Sequence, residues 1–169
     1  MAWNHYCGFG PYFVGGKFMT IKRWIQCKQV NYIVKTFSAH ERTSMGLPEE
    51  YIGKDPGYWA KDEIKNICNI FIEYNKITPI AFFDITDAGE YLNAAVGVYN
   101  NKQYRGKGYA QKVVQKGLDW YLANKDKFGN RPIYWWAKTD NLASCKLAEK
   151  CGFRQDVSIF NTWIKYVYV

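Results

Sequence analysis

The sequence predicts an α/β (α+β) domain with a mixed, mostly antiparallel central sheet of about six to seven strands flanked by helices. Three observations carry this expectation. The β-branched run Val96-Gly-Val-Tyr99 passes through a polar loop into Arg105-Gly-Lys-Gly-Tyr-Ala110, which opens an amphipathic helix. Short strand-like runs joined by tight turns lie on both sides of that unit, which favours antiparallel neighbours. The chain has 169 residues, 48% of them hydrophobic, which suits one domain spanning 1–169 with a real core.

Residues 1–29 carry no readable pattern. Residues 30–37 alternate loosely and are rich in β-branched side chains, so the first strand is expected there. Residues 38–53 suit short helices broken at Pro48. Asp55-Pro56 reads as the N-cap and first-turn proline of a helix running to about Asn66. Residues 69–73 and 77–85 read as strands around a turn at Asn75-Lys76, and Asp87-Ala-Gly89 turns into a strand over 92–99. Gly97 inside that strand implies a bulge or a close backbone approach.

The following helix repeats Ala110, Val113, Val114, Gly117, Leu118, Tyr121 and Leu122 on one face, with Gln111, Lys112, Gln115, Lys116 and Asp119 opposite. Phe128-Gly-Asn130 is a turn. Residues 132–138 form a strand in which Tyr134, Trp135 and Trp136 are expected to be buried. Asp140 or Asn141 then caps a short helix, and Gly152 supplies its left-handed terminus. Residues 153–160 and 163–169 close the chain as a hairpin around Asn161-Thr162.

A strand, a glycine loop and a helix start in that order make a seat for an anion. The first N–H groups of a helix lack intrahelical partners and lie at the positive end of its dipole. Gly108 is followed by Tyr-Ala, which excludes a G-x-x-x-x-G-K-[ST] loop. Gly106-Lys-Gly108-Tyr-Ala-Gln111 lacks the third glycine of a dinucleotide fingerprint. Taken alone, Arg-Gly-Lys-Gly is equally well a surface turn before a helix.

The formal net charge of +8 lies entirely on this side of the chain. From Lys102 onward there are 13 Lys and Arg against 5 Asp and Glu, whereas residues 1–101 hold 10 of each. Lys102, Arg105, Lys107, Lys112 and Lys116 could therefore surround a phosphate-rich cofactor, although Lys112 and Lys116 would suit a solvated face as well. The five cysteines, at 7, 27, 68, 145 and 151, form no C-x-x-C pair and read as reduced thiols of a cytoplasmic protein. With only His5 and His40, no metal site is expected. No apolar run reaches membrane-spanning length, and the start Met-Ala-Trp-Asn-His-Tyr does not read as a signal peptide.

The loop Arg105-Gly106-Lys107-Gly108-Tyr109-Ala110 resembles the acyl-CoA pyrophosphate loop of the GNAT N-acetyltransferase superfamily, R/Q-x-x-G-x-G/A. An overlapping register from Gln103 to Gly108 also fits. The first is preferred because it leaves Ala110 as the small residue opening the packed face of the helix. Asn141-Leu-Ala-Ser144-Cys-Lys146-Leu-Ala-Glu-Lys150-Cys-Gly152-Phe153 resembles the family's second CoA-contacting helix. The strand between them resembles the one that splays from its neighbour to admit pantetheine. The resemblance runs from about Phe71 to Phe153. Asn-x-x-Ser followed by Glu-Lys-x-Gly-Phe is closest to the ribosomal-protein N-terminal acetyltransferase-like subgroup. Many relatives carry a tyrosine four residues before the glycine of Gly-Phe, where it protonates the departing thiolate. Here that residue is Ala148, and Ser144 is a candidate substitute.

The resemblance implies transfer of an acetyl group from acetyl-CoA to a primary amine by direct attack. Backbone N–H groups of Gly106, Lys107, Gly108, Tyr109 and Ala110 would hold the pyrophosphate. Backbone groups around Val98 and Tyr99 would pair with pantetheine, one N–H serving as oxyanion donor. Asn141 and Ser144 would touch the pantetheine arm, with Lys146 near the nucleotide end. A carboxylate acting through water would take the amine proton. Asp84, Asp87 and Glu90 lie nearby in sequence, each better read as a loop carboxylate, so no catalytic base is assigned. The acceptor would be a small-molecule amine, a protein N-terminus or a lysine, and a homodimer stays open. Tyr58, Trp59, Tyr91 and Trp136 are candidates for its pocket or for the core. Two other readings stay open: a catalytically silent CoA-binding sensor, and a basic nucleic-acid-binding module. The buried-strand reading of residues 134–136 argues against the latter.

Overall fold

The computed structural model describes residues 12–14, 17–19, 21–44, 67–160 and 162–169. β1 (Tyr12–Val14) and β2 (Lys17–Met19) form a small antiparallel pair in the stretch that carried no sequence pattern. α1 (Ile21–Val34) and α2 (Ala39–Ser44) follow. Then come β3 (Ile67–Asn75), β4 (Thr78–Asp87), β5 (Leu92–Val98) and α3 (Tyr109–Leu122). A 3-10 turn at Lys125–Phe128 leads to β6 (Ile133–Lys138), α4 (Leu142–Lys150), β7 (Arg154–Phe160) and β8 (Trp163–Tyr168). The expected helix from Asp55, with Tyr58 and Trp59, lies outside the described residues. So do residues 45–53.

Among the described residues six strands form the main sheet, in the order β3-β4-β5-β6-β8-β7. Every neighbouring pair is antiparallel except β5 with β6. α3 and α4 cover one face. Val113, Val114, Leu118 and Tyr121 of α3 and Ala148 of α4 pack with Phe83, Ile85, Leu92 and Trp135. α1 covers the other face, where Val30, Ile33, Val34 and Phe37 pack with Ile70 and Phe82.

Residues 30–37 are the main correction. They belong to α1 and the turn after it, not to a strand. Their buried positions, 30, 33, 34 and 37, recur at helical spacing. Burial of that stripe against the sheet overrides the weak β preference of the branched side chains. Three smaller corrections follow. The β3–β4 turn falls at Lys76 and Ile77, one residue late, with Lys76 at φ 54°. Leu122 ends α3 half exposed instead of continuing its buried face. Asp84 lies in β4 and not in a loop.

Gly97 shows no bulge, since the β4–β5 register runs unbroken through it. A Cβ there would collide with the rings of Phe82 and Phe37, so the close approach is aromatic. Of the residues 134–136, Trp135 is buried while Tyr134 and Trp136 are partly exposed. Cys145 and Cys151 are buried free thiols. No helix among the described residues is long and apolar enough to cross a membrane.

Candidate acetyl-CoA site at the β5–β6 opening

β5 and β6 pair over three residues only: Leu92 with Ile133, Asn93 with Tyr134 and Ala94 with Trp135. β5 continues to Val98 along β4, and β6 continues to Lys138 along β8. The two strands therefore part after Ala94. Backbone groups along a strand alternate in direction. The Leu92 N–H donates to the Pro132 carbonyl on the β6 side (2.9 Å), whereas the Tyr99 N–H donates to Ile80 of the β4 strand (2.7 Å). The alternation then turns the amides of Val96 and Val98 into the opening. Tyr99 is corrected on this point, because its N–H is taken by the sheet. Its ring lies beside Tyr32, centroids 5.4 Å apart.

Beyond Tyr99 the chain turns twice. Asn101 donates to the Tyr99 carbonyl (2.8 Å) and Tyr104 to the Asn101 carbonyl (2.9 Å). Gly106 and Gly108 then adopt φ 69° and 78°, the left-handed region that favours glycine. Gly108 is the N-cap of α3, with no side-chain cap and no acidic residue in the first turn. The first intrahelical bond runs from the Lys112 N–H to the Gly108 carbonyl (3.0 Å). The N–H groups of Tyr109, Ala110 and Gln111 precede it, and residues 105–108 are exposed. Among the described residues, a strand edge without a β6 partner beyond Ala94 thus leads through the glycine turn to a helix N-terminus with no side-chain cap.

The five basic residues expected around the cofactor divide into two sets. Arg105 pairs with Glu41 of α2 and donates to the Asn100 side chain (2.7 Å), and Lys116 pairs with Glu73 of β3. These two charges are answered within the protein, which corrects the picture of five cations facing one ligand. Lys102 and Lys107 are exposed, and the Lys112 ammonium sits 5.9 Å from the Tyr109 ring centroid. Burial would raise the Glu41 pKa, but hydrogen bonds from Ser38 and Arg105 outweigh it and hold the carboxyl below its ordinary value.

α4 is fixed at both ends. The Asn141 side chain accepts the Ser144 N–H (3.2 Å), as an N-cap should. Gly152 at φ 89° donates to the Glu149 carbonyl and Phe153 to the Ala148 carbonyl, which is a Schellman terminus. The Ser144 hydroxyl accepts the Trp135 indole N–H (3.0 Å), tying α4 to the last paired residue of β6 before the strands part. Lys146 is exposed on α4. Ala148 is fully buried, its methyl packed into the core.

On the opposite face lies a carboxylate that the sequence favours as a loop residue. Asp84 is 4% exposed and lies opposite Ala95, one residue past the point where β5 and β6 part. It accepts a hydrogen bond from the Thr86 hydroxyl (3.3 Å). The side-chain oxygen Oδ1 of Asn93 on the neighbouring strand is buried with no hydrogen-bond partner among the described residues. Tyr91 stacks on Tyr134 at 4.5 Å. Asp87 is held by Arg131 (2.7 and 3.0 Å), and Glu90 is exposed in the turn. Strand alternation was the signal available for Asp84: Ile80, Phe82 and Asp84 share a face inside the expected strand 77–85, yet a carboxylate there is favoured as a loop residue.

A model of the acetyltransferase (GNAT) family matches residues 35–153. Among curated proteins none matches the sequence. Several solved structures share the fold. The GNAT domain of a Streptomyces lividans protein, PAT, is 13% identical and superposes with a TM-score of 0.62, covering 85% of each chain. The PaiA N-acetyltransferase of Thermoplasma acidophilum, solved with coenzyme A, is 13% identical with a TM-score of 0.61, over 85% of this chain and 92% of that one. A protein of Pyrococcus horikoshii is 18% identical with a TM-score of 0.59, over 84% and 88%. The family match spans the opening, the glycine loop and both flanking helices, and the chain belongs to the GNAT acetyltransferase family.

Proposed function

We propose that the protein is an N-acetyltransferase that moves an acetyl group from acetyl-CoA to a primary amine by direct attack. One observation carries this reading: among the described residues, the β5 edge at Val96 and Val98 lacks a β6 partner and runs into the left-handed Gly106–Gly108 turn and the uncapped start of α3. An extended arm with amides suits the first, and a pyrophosphate suits the second. The Val98 N–H, turned into the opening, would donate to the thioester oxygen as it gains charge. Gly106, Lys107, Gly108, Tyr109 and Ala110 would seat the pyrophosphate. Asn141 and Ser144 act through the position of α4 and Trp135, and Lys146 would lie toward the nucleotide.

The acceptor arrives as an ammonium, since an alkyl amine has a pKa of roughly 10. It must shed one proton before its lone pair can attack the thioester carbon. The C–N bond then forms, the C–S bond breaks, and the nitrogen sheds a second proton. One of the two protons ends on the CoA sulfur and the other in solvent. Asp84 is the group we assign to take the first, through water, because it lies opposite Ala95, one residue past the point where β5 and β6 part, on the face away from α3. A thiol pKa of roughly 8.5 makes thiolate a tolerable leaving group, so Ala148 does not by itself forbid turnover. Ala148 does favour a second reading, a CoA-binding domain without catalysis.

Thermal melting with acetyl-CoA at millimolar concentration tests the binding reading, and an unmoved curve overturns it. Release of free thiol in the presence of small amines, lysine peptides and free N-terminal peptides tests catalysis. Binding without thiol release in any arm would establish the silent reading instead.

A further inference from the structure

Arg105 heads the glycine loop, yet its guanidinium is engaged by Glu41 of α2 and by the Asn100 side chain. Glu41 gathers donors from three segments. The Ser38 N–H (2.8 Å), the Ser38 hydroxyl (2.9 Å) and the Asn100 amide nitrogen (2.7 Å) reach one of its oxygens, and Arg105 reaches the other. The Asn100 N–H in turn donates to the Thr36 hydroxyl (2.8 Å), which donates to the Ile33 carbonyl of α1 (2.7 Å). Tyrosine rings continue the fastening. Tyr99 meets Tyr32 at 5.4 Å and Tyr104 at 5.8 Å, and Tyr104 meets Tyr109, the first residue of α3, at 6.2 Å.

We infer that Glu41 is a positioning residue for the glycine loop, and that Arg105 shapes this loop through Glu41 without contacting the cofactor. This rests on the reading of residues 106–110 as the pyrophosphate seat. Among the described residues a Cβ at Gly106 or Gly108 would meet nothing within 4 Å. The contacts these residues show are the Glu41 network before the glycines and α3 after them. A seat made of backbone N–H groups works only if those groups already converge, because ordering them on binding would cost affinity. Glu41 also neutralises Arg105. The positive potential at the seat then comes from the helix start and from Lys107, not from the residue the motif places first.

A double-mutant cycle on acetyl-CoA affinity tests the inference, with calorimetry on the wild type, Glu41→Ala, Arg105→Ala and the double variant. Each single change should weaken binding roughly tenfold, and the double no more than either, as expected when both changes break one interaction. The dependence of Kd on salt should match the wild type in the double variant, which removes a neutral pair and no charge facing the phosphates. Lys107→Ala should instead add to either loss and flatten the salt dependence. The inference is overturned if Glu41→Ala tightens or preserves binding while Arg105→Ala weakens it, for that is the pattern of an arginine released to the phosphates. It is overturned equally if the two losses add. Glu41→Gln, which keeps one acceptor oxygen but no charge, should give the same pattern if the alanine variant does not fold. A wild-type protein that does not bind acetyl-CoA removes the pyrophosphate reading and this inference with it. A wild-type protein that binds and fails the cycle removes the inference alone.

Discussion

Asp87 links stability to pH through one ion pair, and Gly97 marks a close aromatic contact. Asp87 accepts hydrogen bonds from Arg131 and from the Gly89 N–H, and these, Arg131 foremost, pull its pKa down to about 2. A folded pKa below the unfolded value of about 3.9 means that the ionised carboxyl favours the native state. That contribution is complete above the unfolded pKa and disappears as the pH falls through about 2. Urea unfolding of the wild type and Asp87→Asn should therefore differ near neutral pH and converge between about pH 4 and pH 2. A gap that persists unchanged at about pH 2 would assign the loss to packing and not to charge. Gly97 acts sterically. Gly97→Ala forces a methyl group into the Phe82 and Phe37 rings, and overpacking of this kind costs about 1–3 kcal/mol. Its melting temperature should fall, and a variant as stable as the wild type would show that the rings yield freely.

Among the elements, α3 carries the sharpest prediction. Gly108→Glu imposes a side chain on a residue at φ 78°, a strain of about 1–2 kcal/mol. A carboxylate at a helix N-terminus is otherwise favourable, so the protein should still fold. The same carboxylate occupies the anion seat and repels pyrophosphate, so acetyl-CoA should no longer raise the melting temperature. Retained wild-type affinity would sink the phosphate-loop assignment. α3 and α4 were legible in the sequence because each states its boundaries locally. Val113, Val114, Leu118 and Tyr121 mark one face of α3, and Asn141 and Gly152 bracket α4 with a cap at each end. α1 was not legible, because its branched residues at 30, 33 and 34 also suit a strand, and only the sheet they pack against decides between the two. Glu41 was invisible for another reason. Its partner Arg105 is 64 positions away, and no local pattern encodes so long a reach.

At the scale of the whole molecule the sheet separates two tasks. α3 and α4 lie on one face, and the chain that builds them carries the basic excess of the second half of the sequence. α1 and the buried Asp84 lie on the other, built largely from a half with no net charge. The β5–β6 opening is where the faces communicate. Under the proposed chemistry removal of the Asp84 charge should alter turnover and spare cofactor binding. Asp84→Asn keeps the shape of the side chain and the Thr86 hydrogen bond while removing the charge that would take a proton. Its kcat should fall by about a hundredfold, the usual range for loss of a general base, while its Kd for acetyl-CoA stays within about twofold of the wild type. Stopped-flow thiol release at saturating amine, paired with calorimetry, measures both quantities. A fall in acetyl-CoA affinity equal to the fall in rate would mean that Asp84 holds the sheet open and not that it moves a proton. An unchanged rate would return the search for the base to the residues that line the acceptor side.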